Sequence, residues 1–255
     1  MPGVLSIEGF SGLHDVNGLS DLWDRLMSAQ PDPPGILVLV TALIGFAAVF
    51  RPAWRVTRNA VTIAHEGGHA LFALLTGRRL RGIRLEFDTS GLTLSSGRPT
   101  GVGMILTLVG GYIAPSLVGL GGAWLLNANR ITLLLWLTVL LLLVMLINVR
   151  NLFGVLSLLV TGAIVFAVSW YAAPDTQAAF AWTGVWFLLF AGVRPVFELQ
   201  SLRRRGRMRD SDPDQLARLT HLPALFWVGF FLVVNVAVLV TGAFMLAGQY
   251  LPAST

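Results

Sequence analysis

Long apolar runs separated by short polar breaks occupy most of the chain. Residues 35–50 form the first, carried on by Pro52 to Trp54, and residues 101–126, 131–147, 152–170, 179–193 (extended to Leu199) and 222–246 follow. Each approaches or exceeds the roughly 20 apolar residues a helix needs to cross hydrocarbon. Between Gly101 and Val193 the only charges are Arg130, Arg150 and Asp175. Residues 61–75, VTIAHEGGHALFALL, read as a helix too, but with two histidines and a glutamate set into it. The pattern then changes: Ile83, Leu85 and Phe87 alternate with Arg84, Glu86 and Asp88, Thr89-Ser90-Gly91 supplies a turn, and Leu92 and Leu94 alternate with Thr93 and Ser95. Period two around a turn predicts a β-hairpin over 83–96. The whole predicts an all-α polytopic membrane protein of about six to seven transmembrane segments, with a small β-hairpin after the histidine-bearing helix.

Flanking this 35–248 domain are a polar N-terminal segment, 1–34, and a short tail, 249–255. Leu19, Leu22, Trp23, Leu26 and Met27 fall at helical spacing with Asp21, Asp24 and Arg25 off that stripe, which predicts a short interfacial helix. The segment has no basic stretch followed by an apolar core, so a cleaved signal peptide is not expected. His14, in a Gly-rich stretch beside Asp15, reads as a solvated loop histidine.

Composition agrees with the pattern: 55% of residues are hydrophobic, 12% are charged, and mean hydropathy is +0.73. With no cysteine, disulfides and thiolate metal sites are excluded. The net charge of +5 comes from arginine alone, because the chain has no lysine. These arginines gather in short breaks beside apolar runs, which fits the positive-inside rule and not nucleic-acid binding. Arg51, Arg55 and Arg58 mark one cytoplasmic break, and Arg203, Arg204, Arg205, Arg207 and Arg209 in the basic loop 200–215 mark another. Five segments separate the two, an odd number, so one must be re-entrant or two must form a single bent element. The short run 131–147 is the candidate. Arginine-only usage points to a GC-rich bacterial genome and hence to a bacterial cytoplasmic membrane.

Chemistry concentrates at His65-Glu66-Gly67-Gly68-His69. Residues four apart on a helix project the same way, so His65 and His69 can grip one divalent metal, and Glu66, one step round, can reach a water on it. Two neutral imidazoles suit Zn²⁺, and the carboxylate suits a general base. Starting near Asn59, this helix would place His65 about two turns from the Arg51–Arg58 break, a shallow, cytoplasm-facing site. A third ligand must come from elsewhere. In Asp210-Ser211-Asp212-Pro213-Asp214, Asp212 reads as N-cap, Pro213 as the first helical residue and Asp214 as first-turn acid. On spacing, Asp212 and Asp214 are equal candidates for the ligand; His221, beside Leu222-Pro223, suits a cap or loop better. Glu86 alternates with arginines and reads as solvated. The hairpin is either an edge that captures an extended substrate or a plain surface element.

The motif H65-E-G-G-H69-A-L, the hairpin, G110-G-Y-I-A-P-S116 and S211-D-P-D-Q-L-A217 together resemble the site-2 protease family of intramembrane zinc metallopeptidases, in a compact branch without a PDZ domain. The resemblance covers roughly residues 35–245. It implies zinc held by His65, His69 and Asp212, Glu66 as catalytic acid/base, a transmembrane protein as substrate and the lipid bilayer as surroundings, with no nucleic-acid partner. The chain departs from the family's Asp-Gly third-ligand element, since Asp212 is followed by Pro213. A non-proteolytic scaffold or adaptor and a metal or proton transporter share the apolar architecture. An intact glutamate between the ligands favours catalysis, because transport needs no general base there. Neither the substrate nor an oligomeric state is legible.

Overall fold

The computed structural model describes residues 23, 24, 26–206 and 210–248. His14, Leu19, Leu22, Arg25, Arg207 and Arg209 lie outside them; Trp23, Asp24, Leu26 and Met27 are helical. The first long helix, α1 (Gly35–Ala48), leads into α2 (Trp54–Leu75), which carries the histidines. A hairpin of β1 (Arg79–Leu85) and β2 (Gly91–Ser96) follows. Next come α3 (Val102–Asn127), α4 (Ile131–Asn148), α5 (Leu152–Tyr171), α6 (Pro174–Ala191), α7 (Arg194–Arg204), α8 (Asp212–Thr220) and α9 (Ala224–Ala247).

Among the described residues, five helical stretches are long and apolar enough to span a membrane: α3, α4, α5, α6 with α7, and α9. Leu156, Leu159, Val160 and Ile164 of α5 and Leu225, Phe226, Val233 and Phe244 of α9 point outward. Apolar side chains on the outside of a bundle are at home in lipid, where helices already satisfy their own backbone groups. The chain is an integral membrane protein. The higher segment count expected from sequence includes α1 and α2, which differ from the rest. At 14 residues α1 reaches about 21 Å, short of the ~30 Å hydrocarbon layer, and α2 is long enough but carries charge.

Packing gives each helix its direction. α3 and α6 run antiparallel, with Gly119 against Leu189, Gly122 against Val185 and Ser116 against Gly192. α1 begins beside the end of α3, where Gln30 N–H donates to the Asn129 carbonyl (2.9 Å), and finishes against Trp186, Phe187 and Phe190 late in α6. It therefore runs alongside α6 in the same sense. α2 continues the same way: Arg194 lies 4.6 Å over the Trp54 ring, and Arg58 is 3.7 Å from Glu198 of α7. It ends antiparallel to the start of α3, with Thr76 beside Gly103. So α1 and α2 form one broken path toward the end of the bundle that holds α8.

This corrects the sequence expectation in two respects. The histidine helix starts at Trp54, not near Asn59, so Arg55 and Arg58 belong to its first turns and His65 lies about 16 Å along it. The bent element is α1–α2, not the 131–147 run, which is an ordinary 18-residue helix. Counted from the end of α2, four crossings (α3, α4, α5 and α6–α7) return the chain to the α8 end, and the parity closes.

The hairpin begins earlier than expected, at Arg79, with Ile83 opposite Thr93 and Leu85 opposite Gly91. It is tied into the bundle. Arg150 N–H donates to the Ile83 carbonyl (2.8 Å), Asn151 Nδ2 donates to the Leu85 carbonyl (2.6 Å), and Leu85 N–H donates to Asn151 Oδ1 (3.2 Å). Ile83 and Leu85 are buried with Ile63, Met145 and Leu158.

Glycines set how closely α2 and α3 approach. A Cβ on Gly68 would overlap the Gly110 carbonyl and the Ala114 Cβ, and one on Gly110 would overlap the Phe72 ring. Gly68→Ala should therefore overpack this contact and lower stability by about 1–3 kcal/mol, read as a lower unfolding temperature in detergent. Gly184→Ala, where a Cβ meets open space, should leave it unchanged.

Candidate metal centre and active site

His65 and His69 face α3 and the start of α8 from one side of α2. His69 Nδ1 lies 2.7 Å from the Thr107 carbonyl of α3. A carbonyl only accepts, so Nδ1 carries the proton and the lone pair is at Nε2. That nitrogen is 3.1 Å from His65 Nε2. Asp212 Oδ2, at the start of α8, lies 3.3 Å from His69 Nε2 and 3.5 Å from His65 Nε2. The His65 ring packs edge-on against Tyr112, which stacks on Phe231 of α9.

These three separations can be tested against a metal. Four ligands at about 2.05 Å around a tetrahedral ion stand about 3.3 Å apart, the size of the observed triangle. Without a cation or proton between them, two imidazole lone pairs and a carboxylate oxygen this close repel one another. The donor set, two nitrogens and one oxygen, suits Zn²⁺ with a fourth position open. His65, His69 and Asp212 are the described residues that converge as a metal-capable group.

The α8 start explains how Asp212 is freed for this position. The N-cap is Ser211, one residue before the expected Asp212. Ser211 N–H (3.1 Å) and Ser211 Oγ (2.6 Å) both donate to Asp214 Oδ2, and Arg203 pairs with Asp214 Oδ1. Burial pushes the Asp214 carboxyl up, but the hydrogen bonds from Ser211 and Arg203 outweigh it and hold it below the usual carboxylate range. Asp214 therefore closes the helix start and faces away from the imidazoles. Asp212, at the first helical position, is left to face them. His221 sits in a left-handed conformation at the far end of α8, as its C-cap.

Glu66 follows His65 on α2 and lies under the hairpin, with Thr93 Oγ 2.6 Å from its Oε2. Glu86 is exposed near the hairpin turn. Sequence reasoning missed Thr107, Thr93 and Gly111. The Thr107 contact is made by backbone, which no residue type announces. Gly111 had a signal: a Cβ there would overlap both imidazoles, and its neighbour Gly110 meets Gly68 across the helix contact.

An apolar helix bundle with a largely buried, metal-capable His–His–Asp triangle at one end defines the class: an integral membrane protein with a candidate metal centre. Its family follows from the sequence profile described as Peptidase M50B-like, which matches residues 36–242. The chain belongs to that family and is by membership a membrane metallopeptidase acting on peptides. No curated protein and no solved structure matches it.

Gly111→Ala should push the imidazoles apart and lower the divalent metal bound per chain, measured by elemental analysis of purified protein, by about 10-fold or more at limiting metal. Gly121→Ala, on the same helix with open space around it, should bind as the native chain does.

Proposed function

We propose that the chain is an intramembrane zinc metalloendopeptidase that hydrolyses peptide bonds of membrane-protein substrates. His65, His69 and Asp212 hold the ion, and Glu66 is the general base. The triangle of 3.1–3.5 Å between the three donor atoms carries the reading, because it matches the ligand spacing around a tetrahedral ion and is repulsive until a cation or a proton fills it. Bound there, zinc supplies Lewis acidity that acidifies a water molecule and polarises the scissile carbonyl. Glu66 takes the proton released as that water attacks, then delivers it to the leaving amine when the C–N bond breaks. His69, held through Thr107, keeps its Nε2 directed at the ion.

A transmembrane helix hides its carbonyls in its own hydrogen bonds, so a substrate must unwind before it is cut. An unwound segment needs new backbone partners. The outer edge of β1 is taken by Val149–Asn151, and among the described residues β2 makes no backbone hydrogen bond beyond the hairpin. An extended substrate adds to β2, beside Glu66. The site lies near the end of the bundle that carries Arg203, Arg204 and Arg205, and this end faces the cytoplasm of a bacterial cell.

Purified protein should hold one zinc per chain and cleave a membrane-protein substrate until the metal is removed by chelation. Glu66→Gln should keep the zinc and lose activity by about 10²–10⁴-fold. Asp212→Ala should lose the zinc while Asp214→Ala retains it. Zinc held equally by both aspartate variants would remove Asp212 from the site.

A further inference from the structure

Glu66 is only 3% exposed, and what covers it is β2. Thr93 Oγ is 2.6 Å from Glu66 Oε2 and 3.1 Å from the Glu66 carbonyl oxygen. A carboxylate offers no proton, so the hydroxyl is the donor, and at this length the bond is charge-assisted. Gly91, two residues earlier on the same side of the strand, packs onto the same group: a Cβ there would overlap Glu66 Oε1, Cγ and Cδ. One oxygen is thus gripped by a hydroxyl, and the other occupies space that only glycine leaves open.

The strand making these contacts is itself held. Thr62 Oγ, one helical turn before Glu66, donates to the Thr89 carbonyl at the hairpin turn (2.8 Å), and β1 is fastened to Val149–Asn151. A glutamate has three side-chain torsions, and freezing them costs rotamer entropy. In a site formed by α2 alone, that cost would be met at each encounter with substrate. Here β2 meets it during folding.

We propose that Thr93 and Gly91 are positioning residues for Glu66: the Thr93 hydroxyl fixes the carboxylate's rotation, and the absent Cβ of Gly91 leaves room for the oxygen that takes the proton. The inference rests on the functional reading above and adds to it the residues that set the base. It assigns β2 a catalytic duty separate from peptide capture.

Three variants test it in the purified, metal-loaded chain: Thr93→Val, which keeps shape and removes the donor, Thr93→Ser, which restores the donor, and Gly91→Ala. Thr93→Val and Gly91→Ala should keep one metal per chain and nearly native KM, with kcat lower by about 10–100-fold. Thr93→Ser should return kcat close to the native value. A second readout is the visible ligand-field spectrum of the cobalt-substituted chain. It should change in Thr93→Val, as the released carboxylate turns toward the metal, and stay native in Thr93→Ser. Native kcat in Thr93→Val, a serine variant as impaired as the valine one, or loss of metal from Thr93→Val would each overturn the proposal. If the zinc-loaded native chain cleaves nothing, the functional reading falls by itself. The cobalt spectra still decide on Thr93, and an unchanged spectrum in Thr93→Val overturns its role.

Discussion

Two imidazole nitrogens and a carboxylate oxygen stand 3.1–3.5 Å apart at one end of an apolar bundle. Such a cluster is costly to keep: the donors have given up most of their water, and the lone pairs oppose one another until a cation or a proton comes between them. The surrounding fold can be read as the means of holding that triangle closed. His69 is braced through Thr107 on α3, His65 through the Tyr112 ring, and Asp212 through a helix start whose own capping is done by Ser211 and Asp214. All three donors sit on helices.

The closeness of α2 and α3 makes this bracing work. Without side chains at Gly68, Gly110 and Gly111, the helices meet nearly backbone to backbone, and the imidazoles lie across the gap. In lipid, where apolar side chains gain little by associating with one another, such contact between small residues is a main source of helix–helix attraction. Here it also sets the spacing of the two imidazoles, so stability and the proposed metal centre share the same atoms. A methyl group added at Gly111 is spent directly against the ligands, whereas one added at Gly121 meets nothing.

What could be read in the sequence was what is encoded within a few residues. His65 and His69 share a face because a helix repeats every 3.6 residues, and the hairpin shows as strict alternation. The apolar runs gave the helices, since length and hydropathy suffice for that. Two things escaped. The choice between Asp212 and Asp214 turned on whether Ser211 or Asp212 caps α8, a shift of one residue that spacing does not fix. The other was that Arg58, at the start of α2, meets Glu198, 140 positions later in the chain. A charge with a distant partner looks identical, in sequence, to one facing a membrane surface. With that pairing α2 follows α7, α1 and α2 form one broken path, and the crossing count closes.

The hairpin joins these observations. Through β1 it holds the loop between α4 and α5, and through Thr62, Glu66 and Thr93 it holds α2. Its second strand therefore borders both the base and the space where a peptide would pair. An added strand shifts the one it joins, because backbone pairing fixes spacing and twist. Any such shift is passed to Thr93 and Gly91, and so to the carboxylate. On the proposed function, substrate capture and placement of the base would be mechanically linked, which would give an enzyme working among many membrane helices a physical reason to cut only a segment that has already unwound and paired.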